Sequence, residues 1–178
     1  ATALSWKFIP PALVADGDFN LLNTLIDQRG GFLATAGSYM HENLMKAGAV
    51  GNRNNTKTNE DARLKYYKIT GTAASTELGV AAKNAPMPLV TYEETLLILA
   101  EAGLRTVGFA EGLLQLNKVR AILKTNLGLA AAPATGGTIL YDPYVAADFN
   151  AGGIENKGTL TPDKALMKEI IEERYVSL

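Results

Sequence analysis

The sequence predicts a mainly α fold: an antiparallel helical pair with additional helices and long irregular loops. Three observations predict it. Residues 86–128 hold two apolar-periodic runs separated by a tight turn at Gly108. Residues 161–178 open with Thr161-Pro162-Asp163, which places a cap, a first-turn proline and an acid at a helix start. Residues 129–160 lack clear periodicity and are expected as a long loop insert in a single domain spanning 1–178.

Taken in order, Ser5 to Ile9 is an aromatic run stopped by Pro10-Pro11 and reads as an edge strand. Asp18 is the expected cap of a helix over Phe19 to Ile26, with Leu22, Leu25 and Ile26 on one face and Gly30-Gly31 as the stop. A second helix is expected from Ala36 to Lys46, ending at Gly48; it holds the chain's single histidine, His41, beside Glu42 and near Tyr39. Residues 51–60 are polar and turn-prone and read either as a solvated loop or, through their amides and Arg53, as the border of a ligand surface. Ala62 to Thr70, with Tyr66-Tyr67, reads as a short extended element. Pro86 and Pro88 then hold the chain extended before Thr91.

In the helical pair, Thr91 and Glu94 have the spacing of a capping box, so the first helix is expected to begin at Thr91. It is apolar on most sides from Leu96 to Leu104, with Glu94, Glu101 and Arg105 in one polar stripe. Packing on more than one face is expected. The second helix starts near Ala110 and closes at Gly128. Glu111, Gln115, Lys118 and Thr125 mark its wet side, and Ala110, Leu113, Leu114 and Ala121 share the opposite side with Asn117. An amide among apolar residues must find partners or cost about 1–3 kcal/mol, so Asn117 is expected to bond a backbone group. Arg120 is expected to reach Glu101. In the last helix, Met167, Ile170, Ile171, Arg174, Tyr175 and Leu178 form one side.

Composition narrows the function. The chain is 47% apolar and 20% charged, with a net charge of −1, as in a globular protein without a polybasic surface, which argues against nucleic acid as a partner. There is no cysteine, so thiolate metal sites and Cys nucleophiles are excluded. No phosphate loop and no Gly-x-Ser-x-Gly elbow occurs. The run Asp148 to Gly153 begins like a calcium loop but places Gly152 at the fifth position and Thr159 at the twelfth, where a bidentate glutamate is needed. The chain is therefore expected to carry no cofactor and no metal and to perform no catalysis; turnover abolished by His41→Ala would overturn the last point. Its start at Ala1 without methionine and its end inside a running helix point to a piece of a longer protein.

The ordered set Pro88-Leu89-Val90-Thr91-Tyr92-Glu93-Glu94, Leu97 to Ala102 and Leu116-Asn117-Lys118-Val119-Arg120 resembles the SusD/RagB family of nutrient-binding outer-membrane lipoproteins of Bacteroidetes. Asn59 to Tyr67 is similar to the family's "N-D-P-R…Y" segment, with Ala62 in place of the proline, and Ile170 to Tyr175 is similar to its later "I…E-R/K-Y" helix. The resemblance covers about residues 59–178. It implies a TPR-like helical pair, and a surface-exposed protein of the outer membrane that captures glycans or other nutrients for a SusC-type TonB-dependent transporter. Membrane contact would then run only through a lipid anchor that this chain lacks. Sugar recognition needs aromatic faces and planar polar groups. By type and location the candidates are Trp6, Tyr39, Arg53, Asn54, Tyr66, Tyr141 and Tyr144. The alternative is a TPR-like scaffold for protein partners, without a small-molecule ligand.

Overall fold

A computed structural model describes residues 4–6, 19–30, 32–125 and 137–177. These residues are mainly helical with little sheet. The sequence is read above as one domain; the chain divides into two compact units, one of residues 1–52, 60–91 and 129–138, the other of 53–59, 92–128 and 139–178. Among the described residues, no helix is long and apolar enough to cross a membrane.

In the first unit, strand β1 (Leu4–Trp6) pairs antiparallel with β3 (Met87–Val90), with Trp6 opposite Met87. Helix α1 (Leu21–Arg29) is capped by Asn20, whose Oδ1 accepts from the Leu22 N–H at 2.8 Å. This corrects the expected cap at Asp18, which lies outside the described residues. Asn20 does more than cap: its Nδ2 donates to the Ala85 carbonyl at 2.9 Å and the Val80 carbonyl at 3.2 Å. One turn on, Asn23 Nδ2 donates to the carbonyls of Ala74 and Ala81 at 2.8 and 2.9 Å. These two amides bind the Ala-rich segment 74–85, which forms two 3-10 turns (Ala74–Thr76 and Gly79–Ala81), onto α1. Ile26, Ile69 and Ala81 form the apolar core beneath, backed by Leu22, Leu33 and Val80. Burial of this cluster and the amide bonds place one segment against the other, so the weak helical propensity of 71–84 is offset by tertiary contacts.

Two further elements of this unit differ from expectation. Residues 36–46 yield a single π-helical turn, Met40–Met45, and no longer helix. Residues 62–70 hold helix α2 (Asp61–Tyr67) where an extended element was expected. Asp-Ala-Arg-Leu-Lys are helix-tolerant residues with the acid in the first turn and Lys65 in the last, and Lys65 pairs with Asp61 at 3.2 Å. The β preference of Tyr66-Tyr67 is overruled because the helix buries Ala62, Arg63 and Tyr66 on one side.

In the second unit, α3 (Tyr92–Thr106) and α4 (Phe109–Thr125) form the expected antiparallel pair, and α5 (Pro162–Ser177) packs against both. Helix α3 begins directly after Thr91. Gly108 makes the turn with φ +126°, a conformation that side chains resist. Gly112 sets the approach of the two helices: a Cβ there would lie 2.7 Å from Leu104 Cβ and 3.2 Å from the Ala100 carbonyl oxygen. Strand β2 (Thr58–Asn59) pairs antiparallel with β4 (Leu140–Tyr141).

The buried faces differ from those expected. On α3, Ile98 and Leu99 are each 47% exposed, so this helix is packed mainly through Leu96, Leu97, Ala100 and Leu104. On α4, Gln115 is buried and Leu114 exposed, while Leu116, Val119, Arg120 and Leu123 face the core. On α5, Ile171 and Tyr175 are exposed, and the buried side reads Leu166, Glu169, Ile170, Glu173 and Val176. The expected close at Gly128 lies outside the described residues, as does the first part of the 129–160 insert. The rest of that insert is no free loop, since Tyr141, Tyr144 and Phe149 are buried.

Candidate functional site

The second unit contains a buried polar clamp, built from two helices, α4 and α5, and two irregular segments. Asn117, on the middle of α4, accepts from the Tyr144 N–H with Oδ1 at 2.8 Å and donates to the Tyr144 carbonyl with Nδ2 at 2.9 Å. One amide thus replaces a strand partner for one residue of the 139–160 segment. The expectation that Asn117 bonds a backbone group holds in this form.

Arg120, one turn further, is fully buried. It does not reach Glu101. Its Nε donates to the Asp142 carbonyl at 2.8 Å, and its Nη2 donates to the Lys57 carbonyl at 2.8 Å and to Thr58 Oγ1 at 2.9 Å. The guanidinium also stacks over the Tyr144 ring, 3.7 Å from its centroid. A planar fork satisfies two carbonyls and a ring face at once, which an ammonium does not. Glu101 instead pairs with Arg105 at 2.9 Å and Arg174 at 3.4 Å.

From Arg120 the hydrogen bonds run in one direction. Burial pushes the Tyr144 phenol far above its ordinary range, so it stays an O–H and donates to Glu155 at 2.5 Å. Thr58 Oγ1, which receives from Arg120, is 2.8 Å from the Tyr144 oxygen and donates to it. Asn55 Nδ2 adds a second bond to the same Glu155 oxygen at 2.5 Å.

On the α5 side, Arg53 Nη2 donates to Glu169 at 2.8 Å and Glu173 at 2.5 Å. The second glutamate also receives the Ser177 hydroxyl at 2.8 Å. Two carboxylates one turn apart share one guanidinium in the interior, both buried. Burial, as the largest influence, pushes Glu169 up to about 8; Arg53 pulls it down, and Glu155 and Glu173 push it further up. Burial thus favours a proton on this carboxylate pair, which leaves one negative charge to balance Arg53.

Of the seven residues expected to face a ligand, this unit contains Arg53, Asn54, Tyr141 and Tyr144. Arg53, Tyr141 and Tyr144 are buried at 6%, 1% and 2% exposure, which removes them from a surface that stacks sugars. Asn54 is half-buried. In the first unit Tyr66 is buried, and burial raises its phenol; Tyr39 is exposed, and Trp6 lies at the end of β1. His41 Nδ1 meets Glu42 at 2.8 Å, and that carboxyl is held down to about 2 by Lys46 first, then His41 and the Gly37 N–H. Asp148, which opens the calcium-like run, spends its carboxylate on Lys57 at 2.6 Å and the Val145 N–H at 2.7 Å. Among the described residues no group of three His, Asp or Glu is placed to hold a metal.

No family model, curated protein or solved structure matches the chain. The clamp residues that sequence reasoning missed are Thr58, Glu155, Glu169 and Glu173. The available signal was the pairing of Glu169 with Glu173 at i, i+4 beside Leu166, Ile170 and Val176, apolar residues three positions from one or the other.

Proposed function

We propose that the chain is a non-enzymatic binding component of an outer-membrane uptake system, which captures glycans or related nutrients at the cell surface and passes them to a SusC-type TonB-dependent transporter. In this reading α3 and α4 are a TPR-like pair. The observation that supports it is the clamp: Asn117 and Arg120, the two polar residues of the Leu-Asn-x-Val-Arg motif, hold segments 53–59 and 139–160 by their backbone. A binding protein needs irregular segments fixed on a rigid support, because ordering them during capture would cost affinity. The clamp's hydrogen bonds run mostly among its own side chains and the backbone of the two segments. Calorimetry against a panel of oligosaccharides, with co-purification of the transporter from outer membranes, tests the reading. Saturable binding of one glycan and recovery of the transporter are expected. Absence of both overturns it.

A scaffold for protein partners is the second reading, favoured by the exposure of Ile98 and Leu99 on α3 and Leu114 on α4, at 47%, 47% and 51%. It predicts that Leu99→Glu abolishes partner capture. The glycan reading predicts that oligosaccharide binding survives this change.

A further inference from the structure

The first unit holds a solvent-open cavity of about 150 Å³ between α1 and the 74–85 segment, lined by Phe19, Asn23, Thr24, Asp27, Ser75 and Lys83, of which Asp27, Ser75 and Lys83 are exposed. Two of these side chains carry opposite charges and do not meet. Among the described residues neither Asp27 nor Lys83 has an ion-pair partner; the Lys83 ammonium rests instead on the Phe19 ring, 3.7 Å from its centroid. That contact fixes a cation at one place on the wall. Asn23 supplies a fixed acceptor: it is 4% exposed, and both its amide hydrogens are spent on the Ala74 and Ala81 carbonyls, which leaves Oδ1 available.

Size and charge together select a ligand class. A cavity of this volume takes a molecule about as large as benzene, roughly six to eight non-hydrogen atoms. An oligosaccharide is too large. A neutral monosaccharide would displace water from an ammonium and a carboxylate without answering either charge, and a simple anion or cation would answer one. We propose that this cavity binds a small zwitterion, an α-amino acid with a short side chain, with its carboxylate on Lys83 and its ammonium on Asp27. Asn23 Oδ1 and the Ser75 hydroxyl serve the remaining hydrogen bonds of the ammonium. The site is separate from the glycan reading, and its test involves neither an oligosaccharide nor a transporter.

The test is a two-dimensional amide NMR titration of the full chain with L-alanine and L-serine, and with acetate, methylammonium, N-acetylalanine and glucose as comparisons. Saturable shifts at the Ser75 and Lys83 amides are expected with both amino acids, at concentrations at least tenfold below those needed for any comparison compound. Asp27→Asn and Lys83→Gln each weaken alanine binding about tenfold or more, as loss of a charge-assisted hydrogen bond does. N-acetylalanine keeps the carboxylate and removes the ammonium, so it repeats the Asp27 result in the unaltered protein. No saturable shift with alanine or serine overturns the proposal, as does acetate, N-acetylalanine or glucose binding equally well, or alanine binding that both substitutions leave unchanged.

Discussion

Replacing Glu169 by Gln tests the buried trio of the second unit. The folded protein holds this carboxyl at about 8 against an ordinary 4.5, chiefly because burial penalises its charged form. Folding therefore takes up a proton at any pH between those values. Stability falls as pH rises through this window, by about 1.4 kcal/mol per pH unit for one proton. Below the window the carboxyl is protonated in both states, and above it ionised in both, so the slope vanishes at each end. The Glu169→Gln variant keeps a carbonyl oxygen for Arg53 and takes up no proton. The stability of the variant relative to wild type should thus climb by about 1.4 kcal/mol between about pH 6 and pH 7, with the contributions of groups that do not interact with Glu169 cancelling in the difference. Urea unfolding followed by far-ultraviolet circular dichroism at the two pH values measures it. A difference that stays constant, or moves the other way, would show the carboxyl ionised in the folded protein and refute the reasoning.

Two further substitutions probe the support. Arg120→Lys removes a fork that serves two carbonyls and Thr58 and should cost about 2–4 kcal/mol in urea unfolding, with an unchanged midpoint counting against the clamp. Gly112→Ala drives a methyl group into Leu104 at the closest approach of α3 and α4; a loss of about 1–3 kcal/mol is expected, and a stability gain from the better helix former would show that the helices have room.

The helical pair, its turn at Gly108 and the start of α5 were legible because local signals, caps and glycines, act over a few residues and are printed in the sequence. Which faces are buried was less legible. Glu169, Glu173 and Arg120 look like wet positions, yet each lies inside because a partner from a distant segment satisfies it, and no periodicity rule sees that partner. The same reason moved Arg53, Tyr141 and Tyr144 from an expected ligand surface into the interior. Helix α2 was missed where a Tyr-Tyr pair outweighed the preceding helix formers, and the Asn20 cap because Asp18 offered the same chemistry two residues earlier. The cavity at Asp27 and Lys83 left no trace in the sequence, since its walls come from segments more than fifty residues apart that are joined through Asn23.

The central claim is that the helical pair fixes the irregular segments in one arrangement, with Asn117 as the most local fastener. Hydrogen exchange of the Tyr144 amide tests it directly, because that N–H donates to the Asn117 side chain. The account predicts strong protection in the wild-type chain and exchange at least tenfold faster in Asn117→Ala, from loss of about 1.4 kcal/mol or more of local stability. A Tyr144 amide that exchanges in the wild type as fast as in an unfolded peptide would contradict it.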